Sequence, residues 1–259
     1  MPRVHEKYKD SPYFEDQRHF FDELVTNDWD KYDSERWNRT RQIEILRILS
    51  ICRRSLGKTP ISILDVGCGC GYHDMILGDQ SNVTKVVGVD YSEQSVKQAS
   101  AHYPHPKVER LTMDIFSPDA VTRLLKAYGP FDLVTTFQVI EHLTSPAEFL
   151  AACASCAQQD GYIAVVTPNR LRAQNFVRSL LGKKLISMDF LHYKEYSLKE
   201  IINLGADTKL EPAGWFGHTF NLYKWRFGIS SVGLGTLLPR WADFIGVVFK
   251  KQQLDHLEP

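Results

Sequence analysis

Ile63-Leu64-Asp65-Val66-Gly67-Cys68-Gly69-Cys70-Gly71 places three glycines on alternate positions after a short apolar run that begins at Ile61. The run has the composition of a strand. Glycines at that point permit positive φ and let a ligand approach backbone N–H groups at the start of the helix that follows, residues 72–77. Strand, glycine turn and helix in this order open an α/β unit. The crevice beyond the strand's C-terminal end is where such sheets bind ligands.

Downstream, strand and helix alternate. Residues 85–90, 107–112, 131–137 and 162–167 read as four further strands. The helices between them cover 93–103, capped by Ser92, then 119–128, and a third that starts at Pro146 and ends at Gly161. Ser145-Pro146-Ala147-Glu148 predicts a capping box with proline at the first helical position. Five strands separated by helices predict an α/β fold built on a doubly wound, mostly parallel sheet. Beyond Pro168 the pattern changes. Residues 171–181 read as a basic amphipathic helix, Ser197-Leu198-Lys199-Glu200 as a second capping box for a helix ending at Gly205, and 208–216 and 242–250 as two closing strands. Upstream, Ser34 is a plausible N-cap for a helix carrying Trp37, Ile45, Leu46, Ile48, Leu49 and Cys52 at helical spacing, stopped by Gly57 and Pro60. Residues 1–33 hold Tyr8, Tyr13, Phe14, Phe20, Phe21, Trp29 and Tyr32 among charges, without a period of their own. They read as an arm that docks on the rest.

Composition bounds the function. A hydrophobic content of 43% and a charged content of 24% are those of a globular domain, which excludes disorder and collagen. Thirty-one basic against 31 acidic residues argue against a clamp for nucleic acid. The balance is uneven, with 12 acidic and 6 basic residues over 61–169, so the middle favours a cationic ligand over a polyanion. The five cysteines and an N-terminus without an apolar run lead to an expectation of free thiols in the cytoplasm. Cys153 and Cys156 form a CxxC, Cys68 and Cys70 a CxC; the first pair falls in an Ala-rich helix and the second in the glycine turn, so no metal site is expected. The longest uncharged apolar stretch, 227–238, is broken by three glycines and spans no membrane.

A pyrophosphate-binding GxGxxG would need Gly or Ala at position 72, which is Tyr72, and no GxxxxGK[ST] occurs. Instead an acid, Asp65, precedes the first of three alternate glycines, Asp90 ends the second strand, Met113-Asp114 follow the third, and the fourth continues into Gln138-Val139-Ile140-Glu141-His142-Leu143. Over residues 40–205 this order resembles the class I S-adenosylmethionine-dependent methyltransferases, of small-molecule type. The resemblance implies a Rossmann-like methyltransferase fold of seven strands, with a helical arm over 1–57, a cofactor-binding core over 58–169, a small cap insertion after strand five over 170–196, and a closing helix and strands over 197–259, all one domain. It implies S-adenosylmethionine as cofactor and S-adenosylhomocysteine as product. Asp65, Gly67, Cys68, Gly69, Gly71, Asp90, Tyr91, Met113, Asp114, Ile115 and Gln138 are the implied cofactor residues. Among them the glycine turn lies against the methionine part, Asp90 binds the ribose, Asp114 the adenine amino group, and Ile115 flanks the ring.

The acceptor implied is a small molecule, most simply a hydroxyl of a sugar, lipid-linked or secondary-metabolite substrate. A small amine, or a non-catalytic cofactor-binding protein on the same fold, are the alternatives. A hydroxyl nucleophile needs a base, and imidazole titrates near operating pH. His142 after strand four and His192 in the cap are the two candidates. Arg170, Arg172, Arg178, Lys183 and Lys184 crowd the cap, which leaves a peripheral membrane contact or an anion site open beside a plain solvated face. Phe216, Phe220, Leu222, Tyr223 and Trp225 are candidates for an acceptor pocket or for core. Oligomeric state is not legible.

Overall fold

The computed structural model describes residues 17–27, 35–56, 60–224 and 227–252. In chain order the elements are α1 (Gln17–Asn27), α2 (Glu35–Leu56), β1 (Ile61–Val66), α3 (Tyr72–Gly78), β2 (Val83–Asp90), α4 (Glu93–His102), β3 (Val108–Thr112), α5 (Ala120–Tyr128), β4 (Phe131–Phe137), α6 (Pro146–Cys156) and β5 (Ala157–Pro168). There follow α7 (Ala173–Leu180), α8 (Leu198–Asp207), β6 (Leu210–His218), β7 (Phe220–Lys224), β8 (Phe227–Ser231), α9 (Val232–Leu237) and β9 (Phe244–Lys251). Seven strands form one sheet in the order β3-β2-β1-β4-β5-β9-β6, while β7 and β8 make a separate hairpin. The first five strands run parallel, and β9 pairs antiparallel with both β5 and β6.

Both faces of this sheet are covered at its centre, which is why β1, β2, β4, β5 and β9 carry nearly continuous apolar runs. Successive side chains alternate between two cores. Leu64, Val66, Ile163, Val165, Ile245 and Val247 pack with Phe149 and Cys153 of α6 and Ile201 of α8. On the opposite face Ile61, Ile63, Ala164, Val166 and Val248 pack with Ile45, Ile48 and Cys52 of α2 and with Ile76 and Leu77 of α3.

Strand order reverses between β1 and β4, so the turns leaving these two strands part from each other and open a crevice. Two expectations need correction. The third core helix ends at Cys156 and not at Gly161, because Ala157 already pairs with Phe131 and β5 starts there. Ser145 is the N-cap of α6, but its side chain makes no capping bond; the proline that follows holds Ser145 away from helical torsions. The capping box at Ser197 and Glu200 is complete in both halves. The β7–β8 hairpin was not expected at all. Of the arm's seven aromatic residues, Tyr8, Tyr13, Phe14, Trp29 and Tyr32 lie outside the described residues, as does Ser34.

Candidate active site

Gly67, Gly69 and Gly71 take φ of +79°, +50° and +79°, so the turn after β1 needs the left-handed region three times in five residues. A Cβ on Gly67 would stand 2.4 Å from Cγ2 of Val139, and one on Gly71 would stand 2.9 Å from Cβ of Ala99. Gly69 differs: nothing lies within 4 Å of where its Cβ would be. Gly69 borders a cavity of about 920 Å³. The turn is tied to the end of β2, since the Gly69 N–H donates to Asp90 Oδ2 at 2.9 Å and the Ser92 N–H to Asp90 Oδ1 at 2.9 Å. Below it, Arg110 of β3 donates twice to the buried Asp74 of α3, at 2.8 and 2.9 Å.

Of the residues expected at the cofactor, Gly67, Cys68, Gly69, Asp90, Tyr91, Met113, Asp114, Ile115 and Gln138 line this cavity. Asp65 and Gly71 do not. Asp65 is buried behind the turn, accepts a hydrogen bond from Thr135 Oγ1 at 2.8 Å, and is pushed well above the usual carboxylate range by burial and by the charge of Asp74. Gly71 caps α3, packed between Ala99 and Arg110. Burial raises the Cys68 thiol strongly and the Cys70 thiol to about 11, so both stay protonated at neutral pH. Gln138, which follows β4, holds φ of +57°, a strained setting for a residue with a side chain.

The other end of the cavity is built by the cap. Backbone N–H groups of Tyr193 and Lys194 donate to the Glu141 carbonyl at 2.8 and 3.1 Å, which pins the cap segment against the turn after β4. This pairing brings His142 and His192 edge to face, with ring centroids 5.0 Å apart. His142 Nδ1 faces the Leu191 carbonyl at 3.2 Å, so Nδ1 carries the proton and Nε2 is left as the acceptor. Burial, and then the neighbouring His192, lower His142 to about 4, which keeps it neutral. His192 Nδ1 meets Glu195 Oε1 at 3.0 Å, and Glu195 is in turn held by Arg172 at 2.5 Å. Burial alone would raise Glu195, but His192, the Met188 N–H and Arg172 together bring it down to about 2. Glu141 is fully buried and its Oε2 accepts from Thr167 Oγ1 at 2.9 Å, whereas Oε1 has no hydrogen-bond partner. Burial lifts Glu141 to about 7.

Several cavity residues are not among those expected at the cofactor, although Phe20 and Phe21 belong to the arm expected to dock on the rest. Phe20, Phe21 and Val25 of α1 close one side; Phe21 stands edge-on to His142 with centroids 5.5 Å apart. From α2 come Trp37, Thr40, Arg41 and Glu44. Glu44 joins His73 at 2.7 Å and His218 at 2.8 Å, and the His73 ring stacks on Phe137 at 3.8 Å. Only the fold brings these together. The cap's basic residues are mostly engaged elsewhere: Arg170 pairs with Glu200 at 2.8 Å, Arg172 is buried on Glu195, and Arg178 donates to the Lys184 carbonyl at 2.7 Å. Phe216, Phe220 and Leu222 do not line the cavity; Phe216 belongs to the core under α2, and Trp225 lies outside the described residues. All five cysteines are free, and Cys153 and Cys156 are core residues of α6.

The cavity fits S-adenosylmethionine on its own terms. Gly69 leaves open the space a side chain would fill, Asp90 stands at the end of β2 and Asp114 just past β3, and among the lining side chains Glu44, Asp90, Asp114, Glu141 and Asp189 outnumber the one Arg41, a balance that suits a cationic sulfonium.

Comparison with known proteins agrees. A family described as a methyltransferase domain matches residues 37–211. A probable S-adenosylmethionine-dependent methyltransferase of Mycobacterium tuberculosis (strain ATCC 25618 / H37Rv) is 32% identical over 136 residues, 52% of this chain and 43% of that protein. The match thus spans less than half of that relative. A ubiquinone biosynthesis O-methyltransferase of Leptothrix cholodnii is 26% identical over 82% of this chain and 89% of its own length. The crystal structure of magnesium protoporphyrin IX methyltransferase from Synechocystis PCC 6803 with bound S-adenosylhomocysteine superposes with a TM-score of 0.60 at 15% identity, covering 91% of this chain and 98% of that one, which speaks for the fold alone.

Proposed function

This chain belongs to the methyltransferase-domain family, and from that premise we propose that it transfers a methyl group from S-adenosylmethionine to a hydroxyl oxygen of an apolar small molecule. The observation that carries the reading is the meeting of His142 and His192 in the same cavity as the glycine turn. Bound cofactor supplies a methyl group on a positively charged sulfur; the protein's task is to hold an oxygen in line with it at about 3–3.5 Å and to remove the proton. His142 presents Nε2 because Leu191 holds Nδ1, and His192 is oriented by Glu195 as a carboxylate orients a catalytic imidazole. Phe20, Phe21, Phe116, Leu143, Phe149 and Leu191 give the cavity an apolar wall suited to an aromatic or lipid-linked acceptor. Exposed Phe176, Val177, Leu180 and Leu181 on the cap support delivery of such an acceptor from a membrane surface. The kinship with ubiquinone biosynthesis O-methyltransferases supports the same class.

We read residues 1–259 as one catalytic unit with its cap over 170–196. No helix among the described residues is long and apolar enough to cross a membrane, and the free thiols support a cytoplasmic site of action. Replacing His142 or His192 with Ala is expected to lower kcat by about 10²–10⁴ while S-adenosylhomocysteine affinity by calorimetry stays within a few-fold. Near-full kcat in both variants would transfer the assignment from oxygen to a neutral amine nitrogen.

A further inference from the structure

We propose that Glu141, His142 and His192 bind a divalent first-row transition-metal ion, which takes the acceptor's hydroxyl oxygen as a further ligand. The sequence led to no metal expectation, because the cysteine pairs were the evident candidates and Glu141, His142 and His192 are 51 residues apart at their extremes. The fold gathers them: one donor atom from each lies within 4.8 Å of the other two, and among the described residues this is the one group of three or more such side chains so placed. Ligands about 2.0–2.2 Å from a common ion stand about 3–4 Å apart, so a small closure of the cap completes the site.

Each donor is already prepared. Glu141 Oε1 is buried without a partner, a setting that is costly for a carboxylate oxygen and that a cation relieves. Its other oxygen is fixed by Thr167. His142 is held at Nδ1 by the Leu191 carbonyl and His192 at Nδ1 by Glu195, which leaves Nε2 of each ring as the nitrogen available to a metal. Metal-ligating histidines are oriented in that way, with the second nitrogen donating to a carboxylate or carbonyl. Arg172 holds Glu195 in place and compensates its charge. Two imidazoles and one carboxylate suit Zn²⁺, Co²⁺, Mn²⁺ or Fe²⁺ better than Mg²⁺ or Ca²⁺, which take oxygen ligands. Three protein ligands also leave positions open toward the cavity, as catalytic sites do. A bound ion would lower the pKa of an acceptor hydroxyl that it takes as ligand, so that the proton passes to water, and in the loaded protein this replaces the base role that His142 and His192 have without it. This role rests on the methyl-transfer reading, whereas the metal site rests on its own geometry.

The experiment uses the full chain stripped with chelator and titrated with Co²⁺ and Zn²⁺, read by calorimetry and by the Co²⁺ visible spectrum. One ion per chain is expected, with ligand-field bands of a nitrogen- and oxygen-ligated site. Glu141→Gln and His192→Ala should abolish those bands, and Glu195→Gln, which touches only the back of His192, should weaken binding by about 10–100-fold. Thermal melting and S-adenosylhomocysteine calorimetry on the same samples show that each variant is folded. Absence of stoichiometric binding in folded wild type, or binding that all three variants retain, overturns the metal site. Failure to bind S-adenosylhomocysteine in protein that does bind Co²⁺ overturns the methyl-transfer reading and leaves the metal site standing.

Discussion

Gly69 and Gly71 share the left-handed region, yet a methyl group means something different at each. At Gly69 the backbone strain of φ +50° is the whole structural cost, about 1–2 kcal/mol, since a Cβ meets nothing within 4 Å. Gly69→Ala is therefore expected to melt only a few degrees lower but to bind S-adenosylhomocysteine at least about tenfold more weakly, a loss of about 1.4 kcal/mol, because its methyl group occupies the cofactor's space. At Gly71 the same strain is joined by contacts of 2.9 Å to Ala99 and 3.0 Å to Arg110, whose guanidinium is fixed on Asp74. Gly71→Ala should lose clearly more stability than Gly69→Ala in the same melting experiment. Unchanged ligand affinity in a folded Gly69→Ala protein would remove the glycine turn from the cofactor site. The residues that could be read beforehand are those whose role is local: a glycine turn, or an acid at a strand end such as Asp90. Glu141 shows the opposite case. It stands beside His142 in the chain, but its buried, unpartnered oxygen exists only because Thr167 and the cap enclose it.

At the level of elements, the pattern of apolar positions decided most strands correctly because both sheet faces are covered and the runs are unambiguous. It failed at the junction of α6 and β5. Ala157-Gln158-Gln159-Asp160 is as compatible with a helix as with anything else, and what stops the helix is a distant partner, Phe131, together with a left-handed Asp160 at φ +61°. α1 is the element whose role is most open to experiment. It packs on α4, Ser92 Oγ donates to its Asp22, Gln17 donates to the Leu191 carbonyl at 3.4 Å, and Phe20 stands edge-on to Phe190 at 6.0 Å. It therefore bridges the β2 end and the cap directly across the cavity mouth. The apolar side of α1 packs in a small cluster of its own with Phe190 and Leu191, apart from the two sheet cores, so α1 is expected to open for ligand exchange and to exclude water when closed. Limited proteolysis within residues 17–27 should slow when S-adenosylhomocysteine is present. Equal rates with and without it would make α1 a fixed wall.

For the whole molecule, the sequence exposed the two-sided sheet but not the charge centre that joins its parts at the cavity's edge. Glu44 of α2 lies between His73 of α3 and His218 of β6, with Arg41 close to His73, and no spacing rule links those four positions. Burial would raise Glu44, but His218 and then His73 outweigh it and bring the carboxyl from 4.5 down to about 2. A carboxyl whose pKa is lower in the folded state stabilises the fold fully above its unfolded value and loses that contribution as pH falls toward the folded one. The window is thus from about pH 4.5 to 2, and the size at 1.36 kcal/mol per unit is roughly 3 kcal/mol. His73 acts in the same direction: burial lowers its pKa, so acid charges it at the expense of the folded state. Glu44→Gln keeps the shape and removes the charge, leaving the half-buried His73 and the buried His218 with a weaker partner. The variant should be several kcal/mol less stable than wild type at pH 7, and the gap between their chemical-denaturation curves should narrow steadily as pH falls below 4.5. Were the two curves to run parallel down to pH 2.5, the centre would be a packing feature and acid sensitivity would have to come from other carboxylates.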